Sequence, residues 1–125
     1  MRTIVALILL VIIVSLGIFE QIYIGNVFEE LKTRTEELME LIENEEHDAA
    51  INKLKDTKEW WNKKSKIMDT IVPHLTLKDI GVQLSFVEGY MESNDSDQSM
   101  ASCYVILGLC ESTPHMLGFH FEHIF

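Results

Sequence analysis

Proline and glycine are scarce in this chain, with two prolines and six glycines in 125 residues. Over residues 26–80, Pro73 is the only member of either class. Turn-rich β architectures need more such punctuation, and no stretch alternates apolar and polar residues as a half-buried strand does. Charge is missing altogether from residues 3–19, and lysine and arginine are missing from residue 79 onward. Cysteine occurs only at Cys103 and Cys110, with no C-x-x-C or other zinc spacing. A Gly-rich phosphate loop, a nucleophile elbow and an H-E-x-x-H helix are all absent. No catalytic residues and no cofactor are therefore expected.

What the chain does have is an apolar opening, MRTIVALILLVIIVSLGIFE. As a helix, residues 3–19 span about 25 Å, and Ile22, Tyr23 and Ile24 extend the run toward a full bilayer crossing. A buried soluble helix of this length would show a polar face, and only Ser15 and Gly17 interrupt this one. A cleavable export signal wants small residues after its apolar core. Ser15 and Gly17 lie inside the run instead, Gly25 has the large Tyr23 two residues before it, and no cysteine follows for lipid attachment. The expectation is a retained signal-anchor over residues 1–25, crossing the lipid bilayer through residues 3–24. Arg2 and the free amine favour a cytoplasmic N-terminus with the body outside, against a weaker pull from Lys32 and Arg34. Cleavage and secretion is the alternative.

The formal net charge of −10 is unevenly spread. Residues 1–27 cancel, 28–48 carry −7, 49–78 carry +4, and 79–125 carry −7. So acidic a chain repels phosphate backbones, which argues against nucleic acid as a partner. The basic block is the one place where a polyanion could bind, but its simpler role is to lie between two acidic helices.

Residues 26–125 read as a compact antiparallel helical bundle, making the chain all-α. Phe28, Leu31, Leu38 and Ile42 repeat at helical spacing, so the first body helix is expected to run straight out of the apolar segment. ENEEHD reads as a turn. A second helix from about Asp48 carries a seam of Ala50, Leu54, Trp61, Met68, Ile71 and Leu75, weakened by Thr57 and Lys64. Trp61 belongs in the core, and Trp60 covers its edge or anchors a partner. Pro73 ends this helix, and TLKD looks like a capping box with Thr76 as N-cap and Asp79 three on. Leu77, Ile80, Leu84, Val87 and Met91 form the third stripe. Asp97 or Ser99 is expected to cap a fourth helix carrying Met100, Cys103, Ile106, Leu107 and Cys110. In STP, Thr113 and Pro114 read as the cap and first position of a last short helix, with Leu117, Phe121 and Ile124 on one face.

The apolar opening, EEHDAAINKLKDTKEWW, PHLTLKDI and the final FEHIF together resemble the small bacterial proteins grouped as domain-of-unknown-function family 4363. The resemblance spans nearly the whole chain. It implies a retained N-terminal anchor and an all-helical body, and it supplies no catalytic residues.

The polar clusters give little chemistry. His115, His120 and His123 form the one cluster worth weighing: His120 and His123, three apart on a helix, could share a Zn²⁺ or Cu²⁺ ion, with Glu111, Glu122 or His74 completing the set only through tertiary contact. The simpler reading is surface histidines, so no metal site is expected; His115, His120 and His123 are kept as candidates for a small-ligand or metal sensor. Glu88 and Glu92 are helix neighbours of the kind that form solvated faces. Cys103 and Cys110 lie seven apart on one face, about 10 Å along the helix, too far for a disulfide. They read as small buried hydrophobes, or as thiols that cross-link subunits. The expected function is a membrane-tethered binding or accessory module with a protein partner or self-association.

Overall fold

The computed structural model describes residues 1–70 and 72–124, with side chains described over 1–70 and 72–112. Four helices follow one another: α1 (Arg2–Glu43), α2 (His47–Met68), α3 (His74–Glu92) and α4 (Ser96–Ile124). Each packs beside its neighbours in sequence and α4 closes on α1, so the bundle is a four-membered ring; among the described residues the diagonal pairs do not meet. Short turns between successive helices make the neighbours antiparallel.

α1 is the expected unbroken helix of 42 residues, and it has two halves of opposite character. Up to Ile22 its large apolar side chains are exposed. From Ile24 onward a stripe of Ile24, Val27, Phe28, Leu31, Thr35, Leu38, Met39 and Ile42 is buried. The bundle core therefore begins where the apolar run ends. We call this the near end of the bundle, and the α1–α2 and α3–α4 turns the far end.

The core stripes of α2 and α3 follow the sequence period closely. Ala50, Leu54, Thr57, Trp61 and Met68 are buried on α2, and Leu77, Ile80, Leu84, Val87 and Met91 on α3. Thr57 does not weaken its seam, because its hydroxyl donates to the Lys53 carbonyl (2.8 Å). Thr35 does the same to Leu31 (2.7 Å). This back-bonding lets a hydroxyl sit in an apolar core without an orphaned group.

Several local expectations are corrected. Leu75 is exposed, because α2 ends at Met68 and the chain has turned before Leu75 can join its seam. Ile71 lies outside the described residues. α3 starts at His74 rather than after Thr76. Pro73 serves as its N-cap with an extended backbone (φ −52°, ψ 128°), and its carbonyl accepts from the Thr76 and Leu77 amides at 3.1 and 3.4 Å. Proline's fixed φ suits a helix entry, so no side-chain cap is needed. α4 is capped by Asp95, whose carboxylate accepts from the Gln98 amide (3.1 Å). Ser99 instead is buried, its hydroxyl donating to the Asp95 carbonyl.

α4 also runs through Pro114 with no stop and restart. Proline at the first turn and proline inside a helix leave the same mark in sequence. The interior case removes only one hydrogen bond, that to the Cys110 carbonyl, at a cost of about 3 kcal/mol.

The two far-end turns are built alike. The Glu46 amide donates to the Leu41 carbonyl and the Glu45 amide to that of Ile42 (3.0 and 3.2 Å). Asp95 and Asn94 repeat the pattern on Tyr90 and Met91 (2.8 and 3.1 Å). Both are Schellman closures, which need a left-handed residue. That residue is Glu45 (φ 59°) in the first and Asn94 (φ 58°) in the second.

Candidate functional site

The apolar half of α1 is the first candidate feature. It is a helix long and apolar enough to cross a bilayer, and its spanning stretch is wholly exposed. In water so many exposed Ile, Leu and Val side chains would be strongly unfavourable, at about 25 cal/mol per Å² of apolar surface. α1 is therefore a candidate membrane span, consistent with a single-pass membrane protein.

A second feature is a groove of about 520 Å³ between α2 and α3, in the half of the bundle nearer that span. Trp61, Leu77, Val82 and Phe86 supply its apolar wall, and Lys66, Lys78, Asp69 and His74 stand at its polar edge. α2 and α3 are also the least closely packed neighbours in the ring. On α4 the small side chains of Ser99, Ser102 and Cys103 are buried. Sequence periodicity missed these serines, which carry no apolar signal.

Trp61 ties three helices together at the base of the groove. Its ring meets that of Phe28 edge-on at 5.9 Å, and its indole N–H donates to the Leu77 carbonyl at 3.4 Å. Trp60 is half-buried and covers the core edge, with the Arg34 guanidinium 4.7 Å from its ring centre. At the groove mouth, His74 Nδ1 lies 2.8 Å from an Asp69 carboxylate oxygen. A carboxylate only accepts, so Nδ1 carries the proton in this contact.

The outward side of α3 was not anticipated. Leu75, Val82 and Phe86 are exposed and spaced seven and four apart, which puts them on one stripe opposite the core residues. The Phe86 and Tyr90 rings lie 6.3 Å apart along the same helix. The sequence signal was the i, i+4 pair Val82 and Phe86 standing off the main stripe.

Charge is paired across helices as the sequence blocks suggest. Lys53 on α2 meets Glu37 on α1, and Lys58 meets Glu88 on α3 at 3.0 Å. The Lys53 ammonium holds the Glu37 carboxyl below the usual carboxylate range. Glu88 is thus in a cross-helix ion pair rather than a carboxylate pair with Glu92. The far end collects Glu40, Glu43, Glu45, Glu46 and Asp48 with Glu92, Asp95 and Asp97, and no lysine or arginine lies among them.

Both cysteines are buried and free. Burial pushes the Cys103 and Cys110 thiols up to about 12 each, which leaves them inert at neutral pH. His115, His120 and His123 fall in the stretch of α4 whose side chains lie outside the described residues, as do Leu117, Phe121, Glu122 and Ile124. Among the described residues no group of three or more His, Cys, Asp or Glu is placed to hold a metal ion.

Comparison with known proteins sharpens the family and nothing beyond it. Neither a curated protein nor a solved structure matches. A family model described as a domain of unknown function, DUF4363, matches residues 18–124, including most of the bundle and the end of the apolar run. With that model covering well over half of its length, the chain belongs to the DUF4363 family.

Proposed function

We propose that this protein is a membrane-tethered helical module that works by binding a protein partner, without catalysis. In this reading α1 is an uncleaved anchor, the N-terminus is cytoplasmic and the bundle stands outside. The observation that carries it is the continuity of α1: one helix holds both the exposed apolar run and eight buried core residues from Ile24 to Ile42. Cleavage inside that helix would remove the turns leading into the core, so retention fits the fold better than release. The direction of the chain across the bilayer is read from Arg2, against the weaker pull of Lys32 and Arg34.

The binding face in this reading is the α2–α3 groove with the outward α3 stripe beside it. Exposed apolar side chains arrayed beside an apolar groove mark interaction surfaces more often than they occur by chance. Phe86 is the natural anchor, being aromatic, half exposed and at the groove edge.

Two measurements test this. Membrane fractionation with a carbonate wash, joined to intact-chain mass and protease accessibility, reads anchoring and orientation together. A soluble chain lacking residues 1–25 sinks the anchor; protection of the bundle in intact cells keeps the anchor and reverses the direction. Cross-linking and pull-down from solubilised membranes reads binding. A specific partner lost in Phe86→Ala and Val82→Ser supports the groove, and a strictly monomeric, partner-free protein rejects the binding role.

A further inference from the structure

The near end of the bundle carries a surface that adjoins the binding face, sharing Leu75 with the α3 stripe and Lys66 and Lys78 with the polar edge of the groove. α1 leads away from its apolar run, α2 returns, and α3 leaves again, so the α2–α3 corner lies at the level where the run ends. That level is set by a contact: Lys64 Nζ on α2 sits 5.5 Å from the ring centre of Tyr23, the residue at the close of the run. The corner presents Ile67 and Leu75, which are 58% and 68% exposed. Lys63, Lys64, Lys66 and Lys78 surround them, against Glu20, Asp69 and Asp79, and Asp69 is already engaged by His74. The far end has eight acids and no lysine or arginine. The fold thus sorts the charge of a strongly acidic chain so that its lysine-rich corner is nearest the apolar run and its most acidic surface is farthest.

We infer that the α2–α3 corner is a second membrane contact, in which Ile67 and Leu75 enter the interface of an anionic bilayer while Lys63, Lys64, Lys66 and Lys78 meet its headgroups. Apolar side chains ringed by lysines are the residue types that lie at an anionic lipid surface. This contact rests on the anchor reading above, because it is the apolar run that brings the corner to a bilayer. It makes no use of which side of the membrane the bundle occupies.

The test uses the full chain in lipid nanodiscs, with one environment-sensitive fluorophore on an introduced thiol. The native thiols are buried, so Leu75→Cys labels selectively in the folded protein. Leu9→Cys reports the span, and Tyr104→Cys, on exposed α4, reports water. In discs of equal phosphatidylglycerol and phosphatidylcholine, the position-75 probe is expected to shift to the blue and to be quenched by lipids spin-labelled near the headgroup, while position 104 is not. The shift is expected to shrink in phosphatidylcholine alone, and on changing all four lysines to glutamine. A position-75 probe indistinguishable from position 104, with position 9 quenched, overturns the corner contact and leaves the anchor standing. A blue shift at position 75 without quenching by the spin-labelled lipids also overturns it, since burial against another protein copy then explains the signal. Failure of quenching at position 9 by lipids spin-labelled deep in the acyl chain removes the anchor and the corner contact together.

Discussion

Replacing Trp61 with alanine is the most demanding test of the bundle, because that one side chain joins three helices. Its indole is 2% exposed, meets Phe28 of α1 edge-on and donates to the Leu77 carbonyl of α3. Truncating a buried tryptophan to alanine costs about 3–5 kcal/mol, which includes the cavity left behind. The aromatic pair accounts for about 0.5–1.5 kcal/mol of this. The hydrogen bond, at 3.4 Å, adds about 1 kcal/mol or less. A domain of this size has a total stability of about 5–15 kcal/mol, so the variant loses a large fraction of it. Trp61→Phe keeps an aromatic ring and is expected to lose about 1–2 kcal/mol. Trp60→Ala, half-buried and stacked with Arg34, is expected to lose about 1 kcal/mol. Denaturant unfolding of the full chain in detergent, followed by near-ultraviolet circular dichroism, measures all three. The single-tryptophan forms add a second reading, since Trp61 alone emits further to the blue than Trp60 alone. If Trp60→Ala proves costlier than Trp61→Ala, the rotational phase of α2 is wrong, and the groove built on it falls too.

Other perturbations read separate parts of the fold. Glu45→Gly relieves a side chain from left-handed backbone and is expected to stabilise the bundle by about 1 kcal/mol, raising its thermal midpoint; Asn94→Gly gains less, since asparagine tolerates that backbone. A thermal melt in which Glu45→Gly destabilises would refute the Schellman turn there. The Cys103 and Cys110 thiols, held at about 12, are expected to alkylate about 1,000-fold more slowly at pH 8 than in denaturant from ionisation alone. Because their folded values lie above the ordinary 9.0, their contribution to stability is complete below pH 9.0 and is lost as pH climbs toward about 12. Native alkylation at the unfolded rate would show that α4 does not bury them. Glu37 titrates in the opposite sense: its carboxyl lies below the ordinary 4.5, so the Lys53 pair is present above that value and disappears as pH falls through the lowered one. A titration of Glu37 unchanged by Lys53→Gln would reject that pairing.

Helix phase was legible in the sequence wherever apolar side chains carry it. The α3 stripe from Leu77 to Met91 and the α1 stripe from Phe28 to Ile42 came straight from the period. Burial of these side chains is the dominant favourable term in folding, and the period records it residue by residue. Polar core residues were less legible. Thr35, Ser99 and Ser102 are buried because each lies on the inward face of its helix, and Thr35 and Ser99 satisfy their hydroxyls on their own backbone. Helix ends were the weakest point. Pro73, Asp95 and Pro114 each admit more than one local geometry, and neighbouring packing chooses among them.

What the sequence alone determined is the division of the chain: an uncharged apolar run, then amphipathic helices, with alternating blocks of charge. Each follows from local composition, because hydrophobic burial and helical period act residue by residue. Only the tertiary structure decided which distant segments share an end. Antiparallel return of α2 sets Lys64 on Tyr23 and gathers the lysines beside the end of the apolar run. The α1–α2 and α3–α4 turns gather the acids of residues 40–48 and 92–97 at the opposite end. Net charge says nothing about such a separation, since it depends on which ends of the helices the short turns bring together.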